Sequence, residues 1–190
     1  MVKIFKFQKL MLILFIIASV AMFCASLYFM TDFKDLFGLK LKFNKPIAVF
    51  HDDLMQGFNQ QFFWFTLFAL LVVFLAFCLE IPQAVPDRFA LLVMGLCLSA
   101  VVGFAVFSLI RLPQLAQVYE GLDFSKMDLE GAMDYQPRSV AFVVLMVLSG
   151  IQICISLTFL AVLSWSHRSF AKYQSADQLR AGSNHTGGSR

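Results

Sequence analysis

The sequence predicts an all-α membrane protein, a four-transmembrane-helix antiparallel bundle with two structured outer loops. Three observations carry that expectation. Four apolar runs, about 10–30, 62–79, 89–110 and 140–165, contain no Asp, Glu, Lys, Arg or His. Each is about 18 to 26 residues, enough to cross a ~30 Å hydrocarbon layer at ~1.5 Å per helical residue. Hydrophobic residues make up 59% of the chain and charged residues 14%, with a mean hydropathy of +0.76. A soluble domain carries about a quarter charged residues, so the apolar excess has to face lipid.

The first run follows Lys3, Lys6 and Lys9. These lysines, with Ser19-Val20-Ala21 after the apolar stretch, also fit a cleaved signal peptide over 1–21. The run continues to Met30, however, which is long enough to span. An even number of spans puts both termini on one side. With both in the cytoplasm, eight Lys/Arg fall inside and seven outside, a small positive-inside margin. An Asn184-His185-Thr186 glycosylation triplet in the Gly/Ser-rich tail would need a lumenal tail and is set aside.

The second run opens with Phe62-Phe63-Trp64-Phe65 and Trp165 closes the fourth, the arrangement of interfacial aromatic anchors. Between the second and third runs, residues 80–88 hold Pro82 and Pro86, a short link that makes a helical hairpin. Glu80, Asp87 and Arg88 mark its polar interface and are expected to form a local ion pair.

Lipid gives helices no hydrophobic reason to pair, so small residues and interhelical hydrogen bonds must hold them. Gly95, Ser99 and Gly103 recur at four-residue spacing and predict a packing face on the third helix. Ala18, Ala21 and Ala25 offer a looser version on the first. Ser149, Gln152 and Ser156 predict one packing face of the fourth helix, and Gly150, Cys154 and Thr158 a second, which makes that helix central. Gln152 is expected to act as interhelical glue, with lining of a solute path as the alternative.

The first outer loop runs from Thr31 to Gln61. Thr31-Asp32 predicts the cap of a short helix through Phe37, and 39–43 alternates apolar and charged residues in the strand period. With the Asn44-Lys45-Pro46 turn and the apolar 47–50, this predicts a small hairpin whose lysines reach headgroup phosphates. His51, Asp52 and Asp53 are adjacent and do not converge on one ion. Asp52 or Asp53 is expected to cap the second helix. In the second outer loop, 111–138, Pro113 is expected to end or kink the third helix. A capping-box-like Ser125-Lys126-Met127-Asp128 predicts a short helix to Met133. Glu120, Asp123, Asp128, Glu130 and Asp134 are the candidate partner-binding carboxylates.

Residues 1–173 thus read as one transmembrane domain. The tail starts amphipathic around Phe170 and Tyr173, and 174–190 is expected to be flexible. Each run holds one cysteine, Cys24, Cys78, Cys97 and Cys154, at depths too different for one tetrahedral metal site. No cofactor, metal or nucleic-acid ligand is expected; the net charge of +3 is small and scattered. The plan resembles the tetraspan proteins (claudins, tetraspanins, connexins) in topology alone. Their loop cysteine pairs and Cys-Cys-Gly signature have no counterpart here. That difference points to a bacterial inner (plasma) membrane.

The partners implied are the lipid bilayer and another membrane protein or a second copy. The first functional expectation is a non-catalytic accessory, scaffold or interaction subunit. The alternative is an oligomeric channel or transporter subunit, against which stands the lack of intramembrane ionisable groups. A membrane-surface enzyme is third, with only His51, Asp52, Asp53, Glu80 and His167 to draw on.

Overall fold

Each charge-free run lies inside a longer helix, apart from Leu79, which is the C-cap of the second. The structure, a computed structural model, describes residues 2–33, 49–122 and 140–186, with side chains over 5–27, 49–50, 53–122 and 140–172. The helices are α1 (Val2–Phe33), α2 (Gln56–Cys78), α3 (Arg88–Glu120) and α4 (Val140–Thr186), with a π-helical turn at Phe50–Met55 leading into α2. No strand occurs among the described residues. All four helices are long and apolar enough to cross a membrane, which supports a membrane location.

The helices outrun the apolar runs because helix formation does not stop at the hydrocarbon edge. Lysine is a good helix former, and Lys6 and Lys9 extend α1 with their side chains exposed. At the other end of α1, Thr31 and Asp32 belong to its last turn, so they do not cap a separate helix. The π-helical turn takes the place expected for an Asp cap on α2. Its N-cap is Met55, which makes no side-chain cap bond, and Asp53 is exposed.

Pro113 neither ends α3 nor shortens it; the helix continues to Glu120. A proline inside a helix removes one hydrogen bond and costs about 3 kcal/mol. Past it, Leu115 and Tyr119 are both buried, and the Tyr119 ring lies 5.7 Å from Phe50 and 5.5 Å from Phe142. Burial of that turn outweighs the lost bond. α4 likewise continues beyond Trp165, with helical backbone through 174–186.

Beside others such as Met11, Ala18, Asn59, Thr66 and Val162, every helix carries buried positions that alternate steps of three and four residues. On α1 they are Gln8, Leu12, Phe15, Ser19, Met22 and Ser26. From the N-cap Met55 into α2 they run Phe58, Phe62, Phe65, Ala69, Val72 and Ala76; on α3, Met94, Leu98, Val101, Ala105, Ser108 and Leu112. α4 buries Phe142, Leu145, Ser149, Gln152, Ser156, Phe159, Leu163 and Ser166. This is the heptad seam of supercoiled helices, which keeps one stripe facing its neighbours. The four stripes merge into a single core. α4 packs on both α3 and α1, α1 packs on α2, and α2 meets α3 along the least extensive of the four seams.

Outside the seams the surface is as greasy as the core. Phe74 and Phe89 are each 68% exposed, and Leu71, Leu92 and Leu96 also point outward. Trp64 and Trp165, expected as interfacial anchors, are exposed as well. The rest of the expected short helix through Phe37, the strand and turn of 39–46 and the helix at 125–133 lie outside the described residues, as do 187–190; of the second expected strand, 47–50, Val49 and Phe50 are described and are helical, as the lead into the π-helical turn.

Candidate functional site

Among the described residues, buried neutral polar side chains form a file along the α1–α4 and α1–α2 seams. At one end is the α2–α3 turn. α2 closes with Glu80 in the left-handed region (φ 53°), while the Ile81 N–H donates to Ala76 O and the Glu80 N–H to Phe77 O, each at 3.0 Å. That pair of bonds is the Schellman motif, in which the left-handed position usually holds glycine. Ile81, next in the chain, is fully buried.

Gln8 clips this turn to the rest of the fold. Its carboxamide nitrogen donates to the carbonyls of Ile81 and Ala84, the second at 3.3 Å. Its oxygen accepts from the Ser166 hydroxyl at 3.2 Å. Beside it the His167 ring Nδ1 lies 2.8 Å from Pro86 O. The turn then opens α3 through Asp87, which is extended and accepts from the Ala90 N–H at 2.6 Å. α1, α4 and the turn are thereby tied at one level. Asp87 acts as a helix cap, a role beyond the local ion pair expected among Glu80, Asp87 and Arg88.

Mid-seam, the Gln152 Nε2 donates to the Ser19 Oγ at 3.3 Å. Gln152 Oε1 and the hydroxyls of Ser149 and Ser156 are buried without a hydrogen-bond partner. Farther from the turn, Ser26 and Thr66 meet at 3.2 Å across α1 and α2. One donates to the other, while the second donates back to its own helix at Phe23 O or Phe63 O. Beyond them Asn59 is 3% exposed, and neither atom of its carboxamide has a partner. The rings of Phe15 and Phe159, 5.9 Å apart, separate the Gln8 cluster from the Gln152 cluster.

The residues expected to form packing faces divide between inside and outside. Ser149, Gln152 and Ser156 are buried together on α4. Cys154 and Thr158 are exposed, and Gly150 has nothing within 4 Å of an added Cβ. On α3, an added Cβ at Gly95 would lie 3.7 Å from Leu160 of α4, an ordinary contact. Ser99 and Gly103 are exposed, and Gly103 has open space around it. A four-residue step turns about 40° past a full turn, so the stripe drifts off the α4 side. Its Gly103 end reaches an open groove of about 600 Å³ lined by Gln61, Ala100, Gly103, Phe104 and Phe107. At the groove's edge Phe65 stacks on Phe104, with centroids 5.0 Å apart.

Of the loop carboxylates, Glu120 is the exposed last residue of α3; Asp123, Asp128, Glu130 and Asp134 lie outside the described residues. Cys24, Cys78 and Cys154 are exposed and Cys97 is half-buried. Among the described residues, no three His, Cys, Asp or Glu side chains come together as metal ligands. Sequence reasoning missed Gln8, Ser19, Ser26, Asn59, Thr66 and Ser166. Their signal is a spacing of three or four from seam residues: Gln8 lies four before Leu12 and Asn59 three before Phe62, both outside the charge-free runs.

Among protein-family models, curated proteins and solved structures, none matches this chain.

Proposed function

We propose that this chain is a non-catalytic integral membrane protein, an accessory or scaffold subunit that works by taking a partner helix against its lipid-facing surface. In this reading the helices form an antiparallel four-helix bundle with two outer loops. Both termini are cytoplasmic, and the membrane is a bacterial inner membrane. The observation that carries it is the groove between α2 and α3. There Gly103 and Ala100 leave room for close backbone approach, Phe104 and Phe107 supply contact area, and Gln61 supplies a carboxamide. Close approach at small residues is what drives helix association in lipid, where apolar area alone does not. The acidic positions of the second outer loop, Glu120 among them, would add contacts above the membrane.

Photo-crosslinking in native membranes tests this. A photoreactive residue at Ala100 or Phe107 should give a defined protein adduct, while one at the outward Phe74 should give lipid adducts only. Equal labelling from all three positions would sink the reading.

A second reading, a subunit of an oligomeric conduit, is favoured by the unpartnered polar atoms of Ser149, Gln152 and Ser156. Solute flux in reconstituted vesicles that is lost in Gln152→Leu would select it.

A further inference from the structure

We propose that the bundle interior binds water between α1 and α4, in a site made by Ser19, Ser149, Gln152 and Ser156. This rests on the hydrogen bonding of the seam and is independent of the partner-helix reading.

A serine or threonine hydroxyl inside a helix normally donates back to the carbonyl three or four residues earlier. Among the described residues, Ser108 donates to Phe104 O at 3.1 Å and Thr158 to Cys154 O at 2.7 Å, and one of Ser26 and Thr66 donates to its own helix while it accepts from the other. Ser149 and Ser156 do not, although both are fully buried. They flank Gln152, three residues before it and four after it, on the same inward seam. The Gln152 carboxamide is oriented with its nitrogen on Ser19 and its oxygen unmet. Three unmet oxygens thus lie along about 10 Å of one helix face.

Their chemistry selects the ligand. Gln152 Oε1 needs a donor, and each serine proton needs an acceptor. The spans that enclose this stretch of α4 carry no charged side chain, so neither an anion nor a cation would find its counter-charge. A neutral molecule that both donates and accepts is required, and buried water typically makes about three bonds to such groups. The Phe15–Phe159 ring pair closes the site on the side of the α2–α3 turn.

The test uses the full chain in lipid nanodiscs with ¹⁵N-labelled glutamine. Magnetisation transfer from water to the Gln152 side-chain NH₂ is expected, and it should fall in Ser149→Ala/Ser156→Ala. A Gln152 NH₂ with no transfer overturns the proposal. A thermal double-mutant cycle gives a second readout that does not need the resonance. With bound water, Ser149→Ala and Ser156→Ala each lower the melting temperature by ~2 °C or more, and their effects do not add. In a dry seam each substitution removes an unmet hydroxyl, so the melting temperature is unchanged or rises. Groups ~10 Å apart without a shared partner also give additive effects.

Discussion

The α1–α4 seam and the α2–α3 seam use opposite means of holding helices together. Between α1 and α4, polar side chains bond across the contact, Gln8 to Ser166 and Gln152 to Ser19, with the Phe15–Phe159 pair between them. Between α2 and α3 the contact is aromatic, Phe65 on Phe104, and beside it the surface falls away into the groove at Gly103. Ser108, the buried polar residue of α3, donates to its own helix at Phe104 O rather than across the seam. Hydrogen bonds specify register and partner in a lipid setting, where apolar packing alone is matched by lipid tails. The seam with directional bonds is therefore the fixed one. In the proposed reading, the seam without them is where the partner helix docks.

If that contrast is right, the largest effect belongs to the middle of the fixed seam. Phe159→Ala removes a fully buried ring packed on Phe15 and should destabilise by about 3–5 kcal/mol. Phe74→Ala, at 68% exposure, should change stability by less than about 0.5 kcal/mol. Reversible unfolding of both variants in bicelles measures the difference. Similar losses at the two sites would erase the distinction between seam and lipid face.

Next comes the polar clip. Gln8→Leu keeps most of the volume but leaves the Ile81 and Ala84 carbonyls and the Ser166 hydroxyl without their partner. Unmet buried groups cost about 1–3 kcal/mol, so the loss should fall in that range. Amide exchange should rise over 79–87 before it rises in the helices. Unchanged protection of that turn would mean that Gln8 does not hold it.

The turn itself offers a stabilising change. Glu80 occupies the left-handed position of a Schellman motif, where a side chain costs about 1–2 kcal/mol. Glu80→Gly removes that strain but adds unfolded-state entropy, leaving a gain of up to about 1 kcal/mol. A fall in stability would show that the Glu80 side chain contributes more than its backbone strain subtracts.

Legibility in the sequence follows the same divide. Four helices could be counted because a charge-free run of membrane length has few other readings. Which face of each points inward was hidden, since Phe74 or Leu96 outside is as apolar as Phe15 or Leu98 inside. Only polar residues broke that degeneracy. Ser149, Gln152 and Ser156 could be placed on one face because lipid would not tolerate them. Gln8 and Asn59 escaped because each lies just before a charge-free run and was counted with the flank. Gly95, Ser99 and Gly103 read as a single face because each step of four looks like a full turn, and the accumulated rotation carries Gly103 to the groove. Pro113 and the reach of α3 were illegible for another reason. Tyr119 is held by Phe50 and Phe142, from two distant parts of the chain.

The smallest effect on stability should come at the Gly103 end of that stripe, and comparison with the Gly95 end separates the two most sharply. Gly103→Leu places a side chain in open space, so the isolated protein should be unchanged or gain about 0.5 kcal/mol from better helix propensity. Gly95→Leu extends past the 3.7 Å contact with Leu160 and should overpack the α3–α4 seam, with a loss of about 1–3 kcal/mol. Partner contact should show the reverse order. Gly103→Leu fills the groove and should abolish the crosslink from Phe107, while Gly95→Leu should leave it in whatever fraction remains folded. Measuring unfolding and crosslinking on the same two preparations therefore distinguishes a docking face from a lipid-facing hollow. A Phe107 crosslink that survives Gly103→Leu would leave the groove to lipid.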